Sequence, residues 1–209
     1  MRKHLIIRAL HRDTSFLSLG TEKLTEELKG MGNQVVVRDL YEIGFNPVLT
    51  TSDFEAVRSG NTPKDILLEQ NHIIEADYIW VIFPIWWAGM PAILKGYIDR
   101  VLLSGFAYRM QGDRPVGMLP DKKVILLNSM GMSYDDYENS GMFDALKLTV
   151  DKGVFDFAGM QVVDHRYFTS IMSADEKKRE HYYAEIAQLA HRYSEVGQNN
   201  DSGKQRSVA

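Results

Sequence analysis

The chain has 209 residues, of which 44% are hydrophobic and 25% charged, and its formal net charge is −4 at pH 7. This length suits one domain with a sizeable core, and the mild acidity argues against nucleic-acid binding and against attraction to an anionic membrane. The sequence contains no cysteine, which excludes disulfides, thiol nucleophiles and thiolate metal sites and fits a reducing compartment.

The first ten residues (MRKHLIIRAL) make a poor secretory signal, because their apolar run is short and contains Arg8. No stretch of the chain approaches the roughly 18 apolar residues that a transmembrane helix needs. We therefore expect a cytoplasmic protein without membrane insertion.

Short apolar runs predict five strands. They are Leu5–Leu10, Val35–Val37, Tyr78–Phe83, Val124–Leu127 and a weaker run that opens at Val162–Val163. Because these runs are apolar on both faces, they are typical of buried parallel strands rather than half-exposed ones.

Helical patterns lie between the strands. The first has an apolar face of Leu17, Leu24, Leu28 and Met31, at a spacing of seven, four and three residues, and ends near Gly30 and Gly32. Residues 62–76 predict a second helix through Ile66, Leu67, Ile73 and Ile74, and a third follows Pro91. A capping-box pattern over residues 173–176 predicts the start of the last helix, with an apolar face of Tyr182, Ile186, Leu189 and Tyr193.

Strands that alternate with helices predict an α/β fold, a doubly wound five-stranded parallel sheet in the flavodoxin-like order 2-1-3-4-5. The Rossmann dinucleotide fold is the alternative, but no G-x-G-x-x-G follows the first strand. We expect one domain over residues 1–196 and a disordered polar tail over 197–209. Two long connections, 39–61 and 104–122, are candidates for functional loops.

In a doubly wound sheet, ligands bind beyond the carboxyl ends of the strands. Three segments fall at such ends, His11–Phe16, Pro84–Gly89 and Asn128–Gly131, and their loops are expected to form one crevice. In the first, Thr14 and Ser15 are suited to bind a phosphate at a helix amino terminus, although taken alone the pair favours simple helix capping.

The other two segments suit a flat aromatic ligand. Trp87 is predicted to form an apolar wall and Gly89 to allow close backbone approach, while packing in a core or a dimer interface is the alternative for both adjacent tryptophans. Backbone amides of Asn128–Gly131 are predicted to bind the polar edge of a flavin. Tyr137 offers a hydroxyl for developing negative charge, or is a packing residue in a polar loop.

Other chemistries lack their motifs. The six histidines show no metal-ligand spacing, so we expect no metal site and expect His72 and His165 to be solvated or to cap helices. The sequence has neither the G-x-S-x-G of hydrolases nor a phosphate-binding P-loop.

The run from Phe83 to Val101 (FPIWWAGMPAILKGYIDRV) resembles the signature of the NAD(P)H:quinone oxidoreductase family, the DT-diaphorase-like proteins of flavodoxin-like fold. Supporting pieces are Arg38–Tyr41 (RDLY), Phe45–Pro47 (FNP), Asp65–Gln70 (DILLEQ) and Gly105–Tyr108 (GFAY). Together they extend the resemblance over most of the chain.

The resemblance implies a homodimer that uses bound FAD, or alternatively FMN, and takes NAD(P)H as co-substrate. It implies that the flavin contacts His11, Ser15, Phe16, Gln70, Pro84, Ile85, Trp86, Trp87, Ala88, Asn128, Ser129, Met130 and Gly131. It further implies an acceptor pocket formed by Trp87, Tyr108, Met130 and Phe143, with Tyr137 as the catalytic tyrosine.

This sequence departs from the family at several positions. The segment after His11 is one residue shorter, Leu17 replaces a common asparagine, and Met130 stands where glycine is usual. Phe143 stands where some members carry a proton-relaying histidine, so Tyr137 or water would have to serve alone.

The predicted function is two-electron reduction of quinones or similar flat aromatic acceptors by NAD(P)H through the flavin, with ping-pong kinetics. One alternative is a flavin-binding regulatory subunit of a potassium efflux system with low turnover. A second is a one-electron carrier like flavodoxin, which needs no nicotinamide pocket.

Overall fold

A parallel sheet of five strands organises the computed structural model, which describes residues 1–194. The sheet order is β2-β1-β3-β6-β7, which confirms the predicted 2-1-3-4-5 arrangement because β4 and β5 form a separate antiparallel hairpin. The predicted domain boundary at residue 196 and the predicted tail lie outside the described residues. The strands are β1 (Lys3–Arg8), β2 (Gln34–Asp39), β3 (Tyr78–Pro84), β4 (Tyr108–Gln111), β5 (Arg114–Gly117), β6 (Lys123–Ser129) and β7 (Gln161–Phe168).

Seven α-helices and one π-helical segment connect the strands within residues 1–194. They are α1 (Phe16–Gly30), α2 (Thr51–Arg58), α3 (Lys64–Glu75), α4 (Ala92–Val101), α5 (Tyr134–Asn139), α6 (Met142–Leu146), the π-helical segment (Lys147–Asp156) and α7 (Glu176–Ser194). The two long connections predicted from the sequence therefore contain structure of their own, α2 in the first and the β4–β5 hairpin in the second.

The core is divided by the sheet into two apolar clusters. Helices α1 and α7 cover one face, where Leu24, Leu28 and Ile186 pack against Trp80. Helices α3, α4 and α6 and the π-helical segment cover the other face. The central strand β3 is buried along its apolar run because helices lie on both of its faces, as its sequence predicts.

Strand β2 corrects the expectation that Val35–Val37 is buried on both faces. Val36 and Val37 are exposed because β2 is an edge strand, with a neighbouring strand on one side only. Helix α3 likewise buries only part of its predicted apolar face. Ile66 and Ile73 are buried, whereas Leu67 and Ile74 are exposed.

The start of α7 also differs from the prediction. The helix begins at Glu176, and its cap is Asp175, whose Oδ1 accepts a hydrogen bond of 2.8 Å from the backbone amide of Lys178. Ser173 lies outside the helix, so the capping box predicted over residues 173–176 is wrong by two positions, although both patterns supply an oxygen to a free first-turn amide.

Three ion-pair networks, each with at least one buried member, join α4 to α2 and α3, β2 to α3, and β1 to β2. Arg100 of α4 bonds Asp53 of α2 at 3.1 Å, Asp65 of α3 at 2.7 Å and the carbonyl of Asn46 at 2.9 Å. The hydrogen bond from the Arg100 guanidinium lowers the pKa of Asp53. Arg38 of β2 pairs with buried Glu69 of α3 at 2.6 Å, and Arg8 pairs with Asp39 at 2.5 Å.

Candidate active site

A cleft of about 520 Å³ opens at the carboxyl ends of β1, β3 and β6. This volume falls in the usual range for small-molecule sites. The three loops that follow β1, β3 and β6 meet here, which confirms the predicted crevice at this edge of the sheet. The lining residues are Leu10, His11, Arg12, Thr14, Ser15, Phe16, Leu17, Pro84, Ile85, Trp86, Ser129, Met130, Gly131, Ile171, Met172 and Arg179.

The amino terminus of α1 forms an anion-binding part of the cleft. Ser15 caps the helix, and its Oγ accepts a 3.2 Å hydrogen bond from the amide of Ser18. The next two amides, of Phe16 and Leu17, belong to the first turn and have no acceptor within the helix. Arg12 and Arg179 also line the cleft, so the cleft carries the donors and positive charge that bind phosphate.

The capping and phosphate-binding explanations of Ser15 are therefore compatible. Its hydroxyl also lies 2.8 Å from Ser18 Oγ, which donates at 2.5 Å to the carbonyl of Arg12. These bonds hold the loop that carries His11 and Arg12 against the start of the helix.

Trp86 forms the aromatic wall of the cleft. Its ring lies 5.1 Å from the ring of His11, and its backbone pairs with that of Gly89 through two 3.0 Å hydrogen bonds. This closed turn forces Trp87 and Ala88 into left-handed backbone conformations, with φ of 50° and 58°. As a result Trp87 lies fully outside, with a relative exposure of 103%, and does not line the cleft.

Hydrogen bonds fix the loops after β3 and β6 to each other. Ile85 donates from its amide to the carbonyl of Ser129 at 2.9 Å, and Met130 donates to the carbonyl of Phe168 at 2.9 Å. The side chain of Asn128 is fully buried and donates at 3.0 Å to the carbonyl of Phe83. The Met130 amide and the Asn128 side chain are thus engaged inside the protein, whereas Gly131 faces open space.

The structure brings together most of the predicted cofactor residues. Those that line the cleft are His11, Ser15, Phe16, Pro84, Ile85, Trp86, Ser129, Met130 and Gly131. Trp87, Ala88 and the side chain of Asn128 lie next to lining residues in the chain but outside the lining itself.

Gln70 does not reach the cleft. It is buried on α3, where its Nε2 donates a 3.0 Å hydrogen bond to the carbonyl of Val101 at the end of α4. This bond makes Gln70 a link between two helices, so within one chain its side chain does not line the cleft, and its predicted contact with the flavin stays a prediction.

The residues predicted for chemistry and the acceptor pocket also lie outside the cleft lining, except Met130. Tyr108 packs on Phe157, with ring centroids 5.1 Å apart. Phe143 is buried between aromatic rings, 5.8 Å from Tyr137 and 4.7 Å from Tyr167. Within one chain these side chains serve packing, and their roles in catalysis stay predictions.

Sequence reasoning missed several cleft residues. Arg179, Ile171 and Met172 come from the loop after β7 and from α7, far along the chain from the other loops. The end of β7 was a usable signal, because its carboxyl end lies at the same edge of the sheet. Among residues 1–194 no group of three or more histidine or acidic side chains is placed to hold a metal, and no described helix combines the length and apolarity needed to cross a bilayer.

Comparisons with known proteins agree with this geometry. A family described as flavodoxin-like fold matches residues 2–190. An uncharacterized NAD(P)H oxidoreductase of Haemophilus influenzae is 36% identical over 179 residues, which cover 84% of this chain and 88% of that protein. NAD(P)H dehydrogenase [quinone] 1 of Rattus norvegicus is 32% identical over 191 residues, covering 82% of this chain and 70% of the rat protein.

The chain belongs to the NAD(P)H:quinone oxidoreductase family. The family resemblance drawn from residues 83–101 is thus confirmed. A solved structure of the family, the NAD(P)H:quinone oxidoreductase of Methanothermobacter marburgensis, superposes with a TM-score of 0.82 at 27% identity and covers 92% of this chain and 98% of that chain.

Proposed function

We propose that the cleft binds a flavin and that the protein catalyses two-electron reduction of quinones or similar flat aromatic acceptors by NAD(P)H. The observation that carries this proposal is one cleft in which a capped helix amino terminus and two arginines adjoin an apolar wall ending in Trp86. A bound flavin supplies the hydride chemistry, and the protein supplies binding, orientation and exclusion of water.

The cleft fits the phosphate part of a flavin. The free amides of Phe16 and Leu17 and the hydroxyl of Thr14 are neutral donors, and the helix dipole adds partial positive charge. Arg12 and Arg179 add two full positive charges, and guanidinium groups can form paired hydrogen bonds to the oxygens of a diphosphate.

The cleft also fits the ring system. Pro84, Ile85 and Trp86 present apolar surface for a flat ring, and Met130 adds a polarizable side chain. The open space at Gly131 leaves room for a ligand's polar edge to approach the backbone.

We favour FAD over FMN. A second cavity, lined by Arg8, Asp39, Tyr41 and Glu42 among others, shares Leu10 and His11 with the cleft. Asp39, Tyr41 and Glu42 belong to the first of the two long connections, so this predicted functional loop lies beside the cleft. FAD is larger than FMN by an adenosine monophosphate, which could occupy this second cavity, whereas FMN lacks a group to fill it.

We further propose that the active form is a homodimer. A tryptophan as exposed as Trp87 is uncommon on a monomer, and Met132 and Tyr134, which follow the third cleft loop, are also exposed. Covering them with a second chain would bring Trp87 into an enclosed pocket, where Tyr137 and Tyr108 are predicted to act. Sedimentation velocity tests the dimer directly.

We favour an enzyme over a regulatory subunit of a potassium efflux system, because the relatives from Haemophilus influenzae and Rattus norvegicus are both named as oxidoreductases or dehydrogenases. The decisive experiment is the absorbance spectrum of the purified protein, followed by acid release and chromatography of its chromophore. We expect a flavin spectrum with FAD released, and parallel double-reciprocal lines when NAD(P)H and a quinone are varied. A protein that neither carries nor takes up FAD or FMN contradicts the proposal.

A further inference from the structure

A buried chain of polar side chains lies directly behind the cleft. His165 of β7, with a side chain only 5% exposed, places Nδ1 2.8 Å from Asp151 Oδ1 and Nε2 2.6 Å from Asn128 Oδ1. Asn128 in turn donates to the carbonyl of Phe83. The burial of His165 corrects the expectation that this histidine is solvated or caps a helix.

A register shift in β7 places His165 in this position. Val124 pairs with Val162, but the next residue, Ile125, pairs with Asp164, so Val163 is an extra residue. Because side chains alternate along a strand, one extra residue reverses the faces of all that follow. The shift turns His165 toward the face that carries Asn128 and the π-helical segment, and turns Asp164 toward α7, where Tyr193 and Arg192 bond it.

The neighbouring groups determine which atoms carry protons. The carbonyl of Phe83 only accepts, so Asn128 directs its Nδ2 there and its Oδ1 toward the imidazole. Nε2 of His165 must therefore donate to Asn128. At Nδ1 the partners are the Asp151 carboxylate and, at 3.1 Å, the hydroxyl of Tyr167, whose pKa burial raises.

The Asp151 carboxyl group therefore contacts the Nδ1 side of the ring, and Asn128 contacts the Nε2 side. The groups that face it are Asp151 from the π-helical segment, Tyr167 from its own strand and the neutral amide of Asn128 from β6. Of these, Asp151 provides the carboxyl group, and its 2.8 Å contact with Nδ1 fixes the orientation of the buried ring.

The far end of this chain of bonds lies at the origin of two cleft loops. Phe83 immediately precedes Pro84, Ile85 and Trp86, and Asn128 immediately precedes Ser129, which opens the third cleft segment. Phe83 and Asn128 are also paired residues of neighbouring strands. The amide of Asn128 thus adds a side-chain bond where the two strands diverge into the cleft.

We infer that His165 is a positioning residue, which locks the Asn128 amide and through it the spacing of the loops after β3 and β6. The inference rests on the proposed function, because those loops line the proposed flavin site. It assigns a role to Asp151 as well, as the group that holds the imidazole in orientation.

Two substitutions separate the contacts of the ring. His165→Gln retains a donor near the position of Nε2 and loses the Asp151 contact, whereas His165→Asn retains the Nδ1 side and leaves Asn128 Oδ1 without its donor. We expect His165→Asn to weaken FAD binding about tenfold, because a buried acceptor is left unsatisfied, and His165→Gln to weaken it much less. His181→Gln, at an exposed histidine of α7, is the matched control.

Nuclear magnetic resonance of the flavin-free protein gives a readout independent of turnover. We expect His165→Asn, but not His165→Gln, to shift the amide signals of Asn128 and Gly131, and we expect Nε2 of wild-type His165 to carry a proton. A wild-type ring without a proton on Nε2 overturns the inference, and this measurement remains decisive if His165→Asn fails to fold.

The results distinguish the two proposals. If the wild type binds FAD and both variants bind it equally well, the positioning role is wrong and the flavin site stands. If the wild type binds no flavin, the proposed function fails, and the amide and ring signals alone decide whether His165 holds Asn128.

Discussion

Replacing His4 with a residue that does not titrate is expected to reduce the loss of folding stability that the protein undergoes as the pH falls. His4 is buried in β1, where Nδ1 accepts a 3.0 Å hydrogen bond from Trp80 Nε1 and Nε2 has no hydrogen-bond partner among residues 1–194. Burial lowers the pKa of His4 from 6.5 to about 4, against an opposing effect of Asp77 and with a smaller contribution from Arg2.

The sign and size of the effect follow from this shift. Between these two pKa values the unfolded chain binds a proton at His4 that the folded protein does not, so stability falls as the pH decreases from about 6.5 to about 4. Each pKa unit corresponds to about 1.4 kcal/mol, so the loss attributable to His4 is at most about 3 kcal/mol. Below the folded pKa the loss is complete and does not grow further.

His4→Asn is the test, because an asparagine oxygen near the position of Nδ1 preserves an acceptor for Trp80 and cannot titrate. Urea unfolding of both proteins, followed by tryptophan fluorescence across this pH window, isolates the His4 contribution as the difference between their free energies of unfolding. We expect the wild type to lose up to about 3 kcal/mol more than the variant on acidification. Parallel pH profiles would refute the reasoning.

Three further substitutions test other parts of the structure. Gly96→Ala is expected to destabilise the fold by about 1–3 kcal/mol, since a Cβ there would overlap the backbone of Pro47; chemical denaturation measures this. Arg100→Leu should lower the free energy of unfolding by about 3–5 kcal/mol, because it leaves Asp53 buried without its counter-charge; chemical denaturation measures this as well. Arg179→Ala should weaken FAD binding about tenfold by removing one charged donor, measured by fluorescence titration.

Each of these has a matched control. Gly30→Ala introduces a methyl group with no atom within 4 Å, so it should not show the steric cost. For Arg100→Leu the comparison is Lys95→Leu, which removes an exposed pair with Asp99 on the same helix and should change stability little. Arg58→Ala removes an exposed arginine away from the cleft lining, and a loss of FAD affinity equal to that of Arg179→Ala would contradict a direct role for Arg179.

The fold was predictable because its main signal is local. The uninterrupted apolar run of β3 and the alternation of strands with amphipathic helices determine a doubly wound sheet, and the sheet in turn places the loops after β1, β3 and β6 together. The same reasoning failed at β2. A run of three valines is equally compatible with a buried strand and with an edge strand whose side chains are exposed.

Details of the site depended on backbone geometry that residue types do not encode. The left-handed conformations after Trp86 leave Trp86 in the cleft lining and place Trp87 outside it, and the single extra residue at Val163 turns His165 inward. Arg179 joins the cleft only because α7 packs against α1, a contact between the two ends of the described chain.

The most direct test of the proposed function is anaerobic mixing of the flavin-loaded protein with NADH or NADPH, followed by addition of a quinone. We expect the flavin absorbance to bleach when the nicotinamide is added and to return as one equivalent of quinone is consumed. A loaded protein whose flavin colour is unchanged by both nicotinamides, or whose bleached form does not pass electrons to any quinone, contradicts the account.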